Sequence, residues 1–215
     1  MLKHVIRTLK GVGVEDCILV TGYLGGLIRE YVGDGSRFGV RVQYCHNPEF
    51  ERGNAISLRA VRGMVGEEPF LLLMADHYLE EGIVREALKN VDREPLLCVD
   101  RDPHYPPQLH DATRVLVNPA GYIIDIGKNL KNWNAIDTGV FVLDQSIFPV
   151  IDLLERRKPL LTLAECIKYL SLHRRAVWAC DVSNHLWFDI DTKEDIYFVE
   201  HFLRGVLRCQ RAGME

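Results

Sequence analysis

Apolar residues in the first half of the chain recur in two patterns that alternate with each other. One repeats every three or four positions, as in Leu2, Val5, Ile6 and Leu9, and predicts amphipathic helices. The other consists of short continuous or alternating apolar runs, which predict strands. The expected helices cover Leu2–Leu9, Tyr23–Tyr31, Ala55–Met64 and Glu81–Lys89, and the expected strands cover Cys17–Thr21, Val40–Cys45 and Phe70–Met74.

The second half of the chain has shorter and less regular apolar runs. We expect strands at Leu96–Val99, Arg114–Val117, Tyr122–Ile126, Val140–Leu143 and Ala176–Cys180, and helices at Gln145–Arg156, at Leu163–Leu172 and from Thr192 onward. The turn signal Asn118-Pro119-Ala120-Gly121 predicts a hairpin. Strands separated by helices predict an α/β fold, a three-layer sandwich with a mixed, mainly parallel sheet. With 215 residues and no visible linker, residues 1–215 are expected to form a single domain.

Composition excludes several classes of protein. Hydrophobic residues make up 47% of the chain and charged residues 26%, which are ordinary globular values that exclude disorder and fibrous repeats. The net charge of −4, without a basic block, argues against nucleic acid as a partner. The apolar run Phe70–Ala75 is far shorter than the roughly 20 residues that span a bilayer. A cytoplasmic protein without a membrane span is therefore expected.

The six cysteines are scattered along the chain, without a C-x-x-C pair. Four of them lie in apolar runs, where cysteine acts as a small core residue. We interpret them as reduced structural thiols, and a disulfide bridge between two of them stays an open alternative.

Two acidic segments lie where an α/β sheet binds ligands, at the ends of its strands. Asp76 and His77 follow the apolar strand Phe70–Met74, and a divalent cation is a natural partner for such a carboxylate. Asp189 and Asp191 are two residues apart, so in extended backbone both point to one face before a helix N-terminus. The alternatives are a helix cap or salt bridge for Asp76, an ordinary loop histidine, and a solvated loop for the second pair.

Polar residues between these segments are weaker candidates. Asn54 and Ser57 lie at a helix start, where an ordinary cap is the alternative. Lys128 follows a short apolar run and a glycine, so its ammonium group is suited to a phosphate, although it is equally consistent with an exposed lysine. Asp137 precedes Thr138 and Gly139, and it is suited either to polyol hydroxyl groups or to a local turn.

The order of these motifs resembles the sugar-phosphate nucleotidyltransferase family. The resemblance rests on Gly53-Asn54, Met74-Ala75-Asp76-His77, Ile126-Gly127-Lys128, Asp137-Thr138-Gly139-Val140-Phe141 and Trp187-Phe188-Asp189-Ile190-Asp191-Thr192. It covers nearly the whole chain and is nearest to the inositol-1-phosphate and choline-phosphate cytidylyltransferases. The resemblance implies a Rossmann-like nucleotide-diphospho-sugar transferase fold.

The resemblance also implies an activity and residue roles. Such an enzyme joins a nucleoside triphosphate, here CTP, to a small phosphomonoester, here inositol 1-phosphate, and releases pyrophosphate. Asp76 and Asp189 would hold Mg²⁺ or Mn²⁺, with Asp76 and Lys128 as the catalytic residues. Asn54, Ser57 and His77 would contact the nucleotide, and the acceptor would meet Lys128, Asp137, Thr138, Gly139 and Asp191.

One departure from the family pattern concerns the N-terminal region. The family begins with a strand and a glycine-rich G-x-G-x-R loop that cradles the triphosphate, and the chain begins in the helix that normally follows it. We therefore expect a domain truncated relative to the family and lacking the usual first strand. Supply of the missing part from elsewhere and a non-catalytic nucleotide-sugar-binding relative are the alternatives.

The choice of substrates and the assembly are less closely defined by these motifs. The same chemistry would suit a uridylyl-, thymidylyl- or guanylyltransferase that acts on a sugar 1-phosphate. Exposed sheet edges would favour pairing between chains, so a homodimer is expected.

Overall fold

The computed structural model describes residues 1–103, 109 and 111–212, and side chains as far as residue 205. Helices are α1 (Leu2–Gly11), α2 (Gly25–Val32), α3 (Asn54–Ala60), α4 (Glu81–Lys89), α5 (Ile147–Glu155), α6 (Leu163–His173) and α7 (Lys193–Ala212). Strands are β1 (Asp16–Thr21), β2 (Arg41–His46), β3 (Phe70–Leu73), β4 (His77–Leu79), β5 (Leu96–Asp100), β6 (Arg114–Val117), β7 (Ile123–Gly127), β8 (Ala135–Leu143), β9 (Trp178–Asp181) and β10 (Trp187–Asp189). Among these helices, none combines the length and the apolar character needed to cross a bilayer.

Most of the elements agree with the sequence pattern, and the differences lie near the candidate site. Strand β8 begins at Ala135 rather than Val140, because polar Asp137 and Thr138 interrupt the apolar run without interrupting the backbone pairing. The antiparallel pair β4 and β10 is not evident from the sequence, because each strand has only three residues.

Strand β8 organises the main sheet, whose order is β7-β6-β8-β5-β9, with β3 also on β8. One edge of β8 pairs with β5, and the other edge pairs first with β6 and then with β3. Strands β3, β5, β6 and β9 share one direction, and β7 and β8 run against them. The sheet is mixed, as expected, and four of its six strands run in one direction. Most neighbouring pairs are nevertheless antiparallel, because β8 runs against the strands on both of its edges.

Helices cover both faces of this sheet. On one face Leu97 and Phe141 pack against α3, α5 and α6, and on the other face Leu96 and Val142 pack against α4. Alternate residues of each strand therefore enter separate cores, which is the pattern of a three-layer α/β sandwich. The parallel pair β1 and β2 packs against α1 in a smaller core. The five cysteines with described side chains are free thiols, whereas Cys209 lies outside the described side chains.

A glycine in the middle of β8 lets the site residues approach the sheet. Gly139 has a φ of +76°, in the left-handed region that disfavours other residues. A Cβ atom there would lie 2.8 Å from the Cδ2 atom of His77 and 3.0 Å from the Cγ atom of Met74. The backbone N–H of Met74 also donates to the Gly139 carbonyl group over 3.1 Å. Gly139 therefore sets how closely the segment after β3 packs on β8.

Replacing Gly139 with alanine is expected to lower the free energy of unfolding by about 1–3 kcal/mol, because the left-handed backbone and the contact with His77 both disfavour a Cβ atom. Urea denaturation measures the change. The matched control is Gly63→Ala, where an added Cβ meets open space and the change is expected to stay within about 0.5 kcal/mol. Equal stability of Gly139→Ala and the parent would contradict this account of the packing.

Candidate active site

Two short segments bring three ionisable side chains together. After β3 ends at Leu73, the chain passes Asp76 and enters β4 at His77. In the antiparallel pair of β4 with β10, His77 lies directly opposite Asp189. Asp76, His77 and Asp189 each offer a ligand atom, and these atoms lie within 4.8 Å of one another. The structure therefore brings together the two carboxylates that sequence analysis assigned to a metal.

The imidazole ring lies between the two acids. The Nδ1 atom of His77 is 2.9 Å from Oδ1 of Asp76 and 3.5 Å from Oδ1 of Asp189. His77 is 8% exposed, whereas both carboxylate side chains retain about half of their surface. Sequence analysis assigned His77 to the nucleotide and did not anticipate this position, for which its place directly after Asp76 was the available signal. We refer to these three residues as the Asp76–His77–Asp189 cluster.

Charge within the cluster shifts its titration. Burial alone would lower the pKa of His77, but the hydrogen bond with Asp76 and the negative charge of Asp189 raise it above its ordinary value. The hydrogen bond with His77 lowers the pKa of Asp76. Burial raises the pKa of Asp189, although the charge of His77 opposes this shift. The opposite shifts of His77 and Asp76 favour an ion pair between a protonated imidazole and the Asp76 carboxylate.

One oxygen atom of the cluster lacks a hydrogen-bond partner. The Oδ1 atom of Asp189 is buried and makes no hydrogen bond within the described part of the chain. A buried carboxylate oxygen without a donor is costly unless a cation or a proton satisfies it. Two carboxylates and a histidine are also a common donor set for divalent metals. The chemistry of the residues therefore fits a divalent cation between Asp76 and Asp189.

Asp137 lies where β8 changes from one partner strand to the next along one edge. On that edge, β6 pairs with β8 as far as Ile136 and β3 pairs with it from Val140 onward. Between these partners the Asp137 amide donates to the Thr113 carbonyl group, and the Gly139 carbonyl group accepts from the Met74 amide. Burial raises the pKa of Asp137 to about 6, against a hydrogen bond from the Gly139 amide and the charge of His77. Asp137 therefore adds a third carboxyl group beside the cluster.

Lys128 lies on the same side of the sheet, two strands away from Asp137. It follows Gly127, which pairs with Arg114 of β6, and Arg114 pairs with Ile136 of β8. Neighbouring strands of a sheet lie about 4.8 Å apart, so two such spacings separate the backbone of Gly127 from that of Ile136. The Lys128 ammonium group is exposed and lies 2.6 Å from Oδ2 of Asp111. Sheet register thus places Lys128 at the rim of the region that contains Asp137.

Three other predicted site residues form hydrogen bonds within the protein. The Thr138 side chain is buried, and its hydroxyl group donates to the Cys98 carbonyl group, so its contact with the acceptor stays a prediction. Asn54 accepts a hydrogen bond from the Leu163 amide at the start of α6. Ser57 accepts one from the Asn47 side chain. These bonds assign structural roles to Asn54 and Ser57, and their contact with a nucleotide stays a prediction.

The segment after Asp189 is fixed by the start of the last helix. Asp191 lies beyond the end of β10, is exposed, and its charge contributes to the raised pKa of Asp189. The Oδ2 atom of Asp195 accepts from the amides of Asp191 and Thr192, and the Thr192 hydroxyl group accepts from the Asp195 amide. This reciprocal cap confirms the predicted start of α7. The cap therefore fixes the backbone at Asp191, two residues beyond Asp189.

The chain matches known proteins over most of its length. Residues 1–99 match the family described as nucleotidyl transferase. The chain is 34% identical over 198 residues to the bifunctional IPC transferase and DIPP synthase of Thermococcus kodakarensis, covering 91% of the chain and 42% of that protein. It is 32% identical over 212 residues to the protein of the same name from Aquifex aeolicus, covering 96% of the chain and 46% of that protein. The chain thus spans less than half the length of these curated relatives.

Solved structures share the fold. The inositol-1-phosphate CTP transferase of T. maritima superposes with a TM-score of 0.80 at 25% identity, over 90% of the chain and 77% of that structure. A UDP-glucose pyrophosphorylase complexed with UDP-glucose superposes with a TM-score of 0.72 at 11% identity, over 90% of the chain and 82% of that structure, which shows the fold alone. Both the sequence matches and the shared α/β architecture lead to one assignment. Residues 1–99 belong to the nucleotidyl transferase family.

Proposed function

We propose that the chain transfers a cytidylyl group from CTP to inositol 1-phosphate and releases pyrophosphate. The observation that carries this proposal is the convergence of Asp76 and Asp189, together with the buried Oδ1 atom of Asp189, which makes no hydrogen bond among the described residues. The names of the relatives favour this nucleotide and this acceptor, since they are IPC transferases and an inositol-1-phosphate CTP transferase. Sequence similarity and the chemistry of the cluster thus support the same reaction.

The reaction brings two anions together, so its main requirements are neutralised charge and fixed geometry. A Mg²⁺ or Mn²⁺ ion held by Asp76 and Asp189 would supply the positive charge that polarises the α-phosphate. His77 fixes the orientation of the Asp76 carboxylate through their hydrogen bond. Burial of the His77 ring strengthens its electrostatic interaction with the two carboxylates.

The acceptor is proposed to bind between Asp137 and Lys128. The carboxyl group of Asp137 is suited to accept hydrogen bonds from the hydroxyl groups of a polyol, and Lys128 is suited to its phosphate. Lys128 pairs with Asp111 at the surface, where such a salt bridge contributes only about 0–1 kcal/mol. A phosphate dianion is therefore able to displace Asp111 from the ammonium group without a large loss of stability.

The first test measures ligand binding and pyrophosphate release by the purified chain. Thermal melting with Mg²⁺ and each of CTP, UTP, dTTP and GTP is expected to show the largest stabilisation with CTP. Pyrophosphate release is then compared with inositol 1-phosphate, choline phosphate and glucose 1-phosphate as acceptors. A preference for another nucleotide would refute the cytidylyl assignment. Binding of CDP-inositol without any turnover would refute catalysis and favour a binding protein.

Asp76→Asn and Asp189→Asn are each expected to reduce turnover at least about 100-fold, because each removes a negative ligand from the cation. The same variants should weaken Mn²⁺ binding in isothermal titration calorimetry. The control is Asp16→Asn, an exposed acid of β1 that pairs with Arg41 away from the cluster, and its turnover should match the parent. Undiminished turnover in either cluster variant would remove that residue from the metal site.

The raised pKa of Asp137 predicts a pH-dependent stability. Between about pH 4 and pH 6 the unfolded chain ionises this carboxyl group while the folded chain keeps it protonated, so the free energy of unfolding falls with rising pH. Asp137→Asn removes this pH-dependent contribution to the free energy of unfolding. Relative to the parent, the variant should therefore gain roughly 1–3 kcal/mol in unfolding free energy from pH 4 to pH 7.

Urea denaturation at each pH, without divalent metal, measures this difference. The matched control is Asp144→Asn, because hydrogen bonds from Ser146 and the charge of Arg175 outweigh burial and lower the pKa of Asp144. That control should keep a nearly constant stability difference from the parent between pH 4 and pH 7, because a lowered pKa changes stability mainly below the ordinary value. Parallel pH profiles for Asp137→Asn and the parent would contradict the assigned burial of Asp137.

A further inference from the structure

A second buried acid lies close to the cluster without belonging to it. Asp100 is the last residue of β5 and is only 6% exposed. Its Oδ2 atom accepts a hydrogen bond from the indole N–H of Trp187 over 2.9 Å, and its Oδ1 atom accepts from the Asp102 amide over 2.9 Å. Both oxygens of the carboxylate therefore accept a hydrogen bond from within the protein. A buried carboxylate is costly to maintain, so its partners indicate what it stabilises.

Trp187 connects this acid to the cluster through one short strand. It is the first residue of β10, and Asp189 follows two positions later on the same face. The Trp187 ring lies 6.1 Å from the His77 ring at an interplanar angle of 17°. Trp187 is 4% exposed, so its position is fixed by packing as well as by the hydrogen bond. One side chain thus contacts His77 and sets the backbone that carries Asp189.

The hydrogen bond joins two separate sheets. Asp100 belongs to the main sheet, whereas β4 and β10 form a two-stranded sheet with only three residues in each strand. Such a short pair has little stability of its own and depends on anchors to the rest of the domain. The contact between Asp100 and Trp187 is a buried, charge-assisted anchor between residues 87 positions apart.

We infer that Asp100 and Trp187 are positioning residues that hold His77 and Asp189 in the geometry needed to bind a divalent cation. The ligand rests on the proposed function, whereas the positioning itself concerns residues of this chain. Partners that orient metal ligands from outside the coordination sphere typically contribute 10- to 100-fold to metal affinity. Loss of the indole N–H should therefore weaken metal binding even though no metal ligand is changed.

The first test is Trp187→Phe, which keeps an aromatic ring beside His77 and removes the N–H donor. Isothermal titration calorimetry with Mn²⁺ is expected to give a Kd 10- to 100-fold higher than that of the parent. The control is Trp178→Phe on β9, whose ring packs against Tyr122 and Arg93 instead of the cluster, and its Kd should stay within about twofold. A Kd for Trp187→Phe within twofold of the parent would overturn the inference.

The acid is tested with two variants that separate positioning from folding. Asp100→Asn keeps a carbonyl oxygen that is able to accept from the indole, and Asp100→Ala does not, so the alanine variant should weaken Mn²⁺ binding more. Thermal melting of both variants records any loss of stability. Equal Mn²⁺ affinities for these two variants and the parent would refute the role of Asp100.

A readout without metal distinguishes failure of this inference from failure of the proposed function. The ring resonances of His77, identified by their loss in His77→Gln, are compared by NMR between the metal-free parent and Asp100→Ala. A changed resonance supports positioning, and coincident spectra overturn it. If the parent binds no Mn²⁺, the metal site of the proposed function is refuted, and the His77 resonances alone decide the positioning role.

Discussion

The candidate site depends on the cost of holding two carboxylates close together in a partly buried place. Asp76 and Asp189 repel each other, and burial adds to that cost by disfavouring their charged forms. A cation between them offsets both the repulsion and the cost of burial. The His77 ring lies close to both acids, so a protonated imidazole would also reduce the repulsion between the two carboxylates when no metal is bound.

The topology around β8 provides the space for this chemistry. The strand is long enough to pair with β6 and then with β3 along one edge. Asp137 lies between these two pairings, beside the cluster. Gly139 then allows His77 to pack directly against the strand. Backbone pairing and one residue without a side chain thus determine the shape of the site, whereas the ionisable groups determine its charge.

Sequence patterns predicted the helices and the apolar strands, because burial imposes periodicity on many residues at once. The resemblance to the nucleotidyltransferase family, and not the strand pattern, implied that Asp76 and Asp189 act together, and the structure brings their carboxylates together. Sequence patterns did not predict β4 and β10, whose three-residue length carries no periodic signal, and they therefore missed the position of His77. The buried hydroxyl group of Thr138 was equally inaccessible, because its bond to Cys98 depends on the register of β5 with β8.

The capped start of α7 has a mechanical consequence for the site. Asp195 and Thr192 lock the first turn of a 20-residue helix, and Asp189 lies only three residues before Thr192. A helix of this length is about 30 Å long. Because the cap fixes the backbone directly after Asp189, the direction of this helix and the position of one carboxylate of the pair are coupled, whereas Asp76 lies outside that connection.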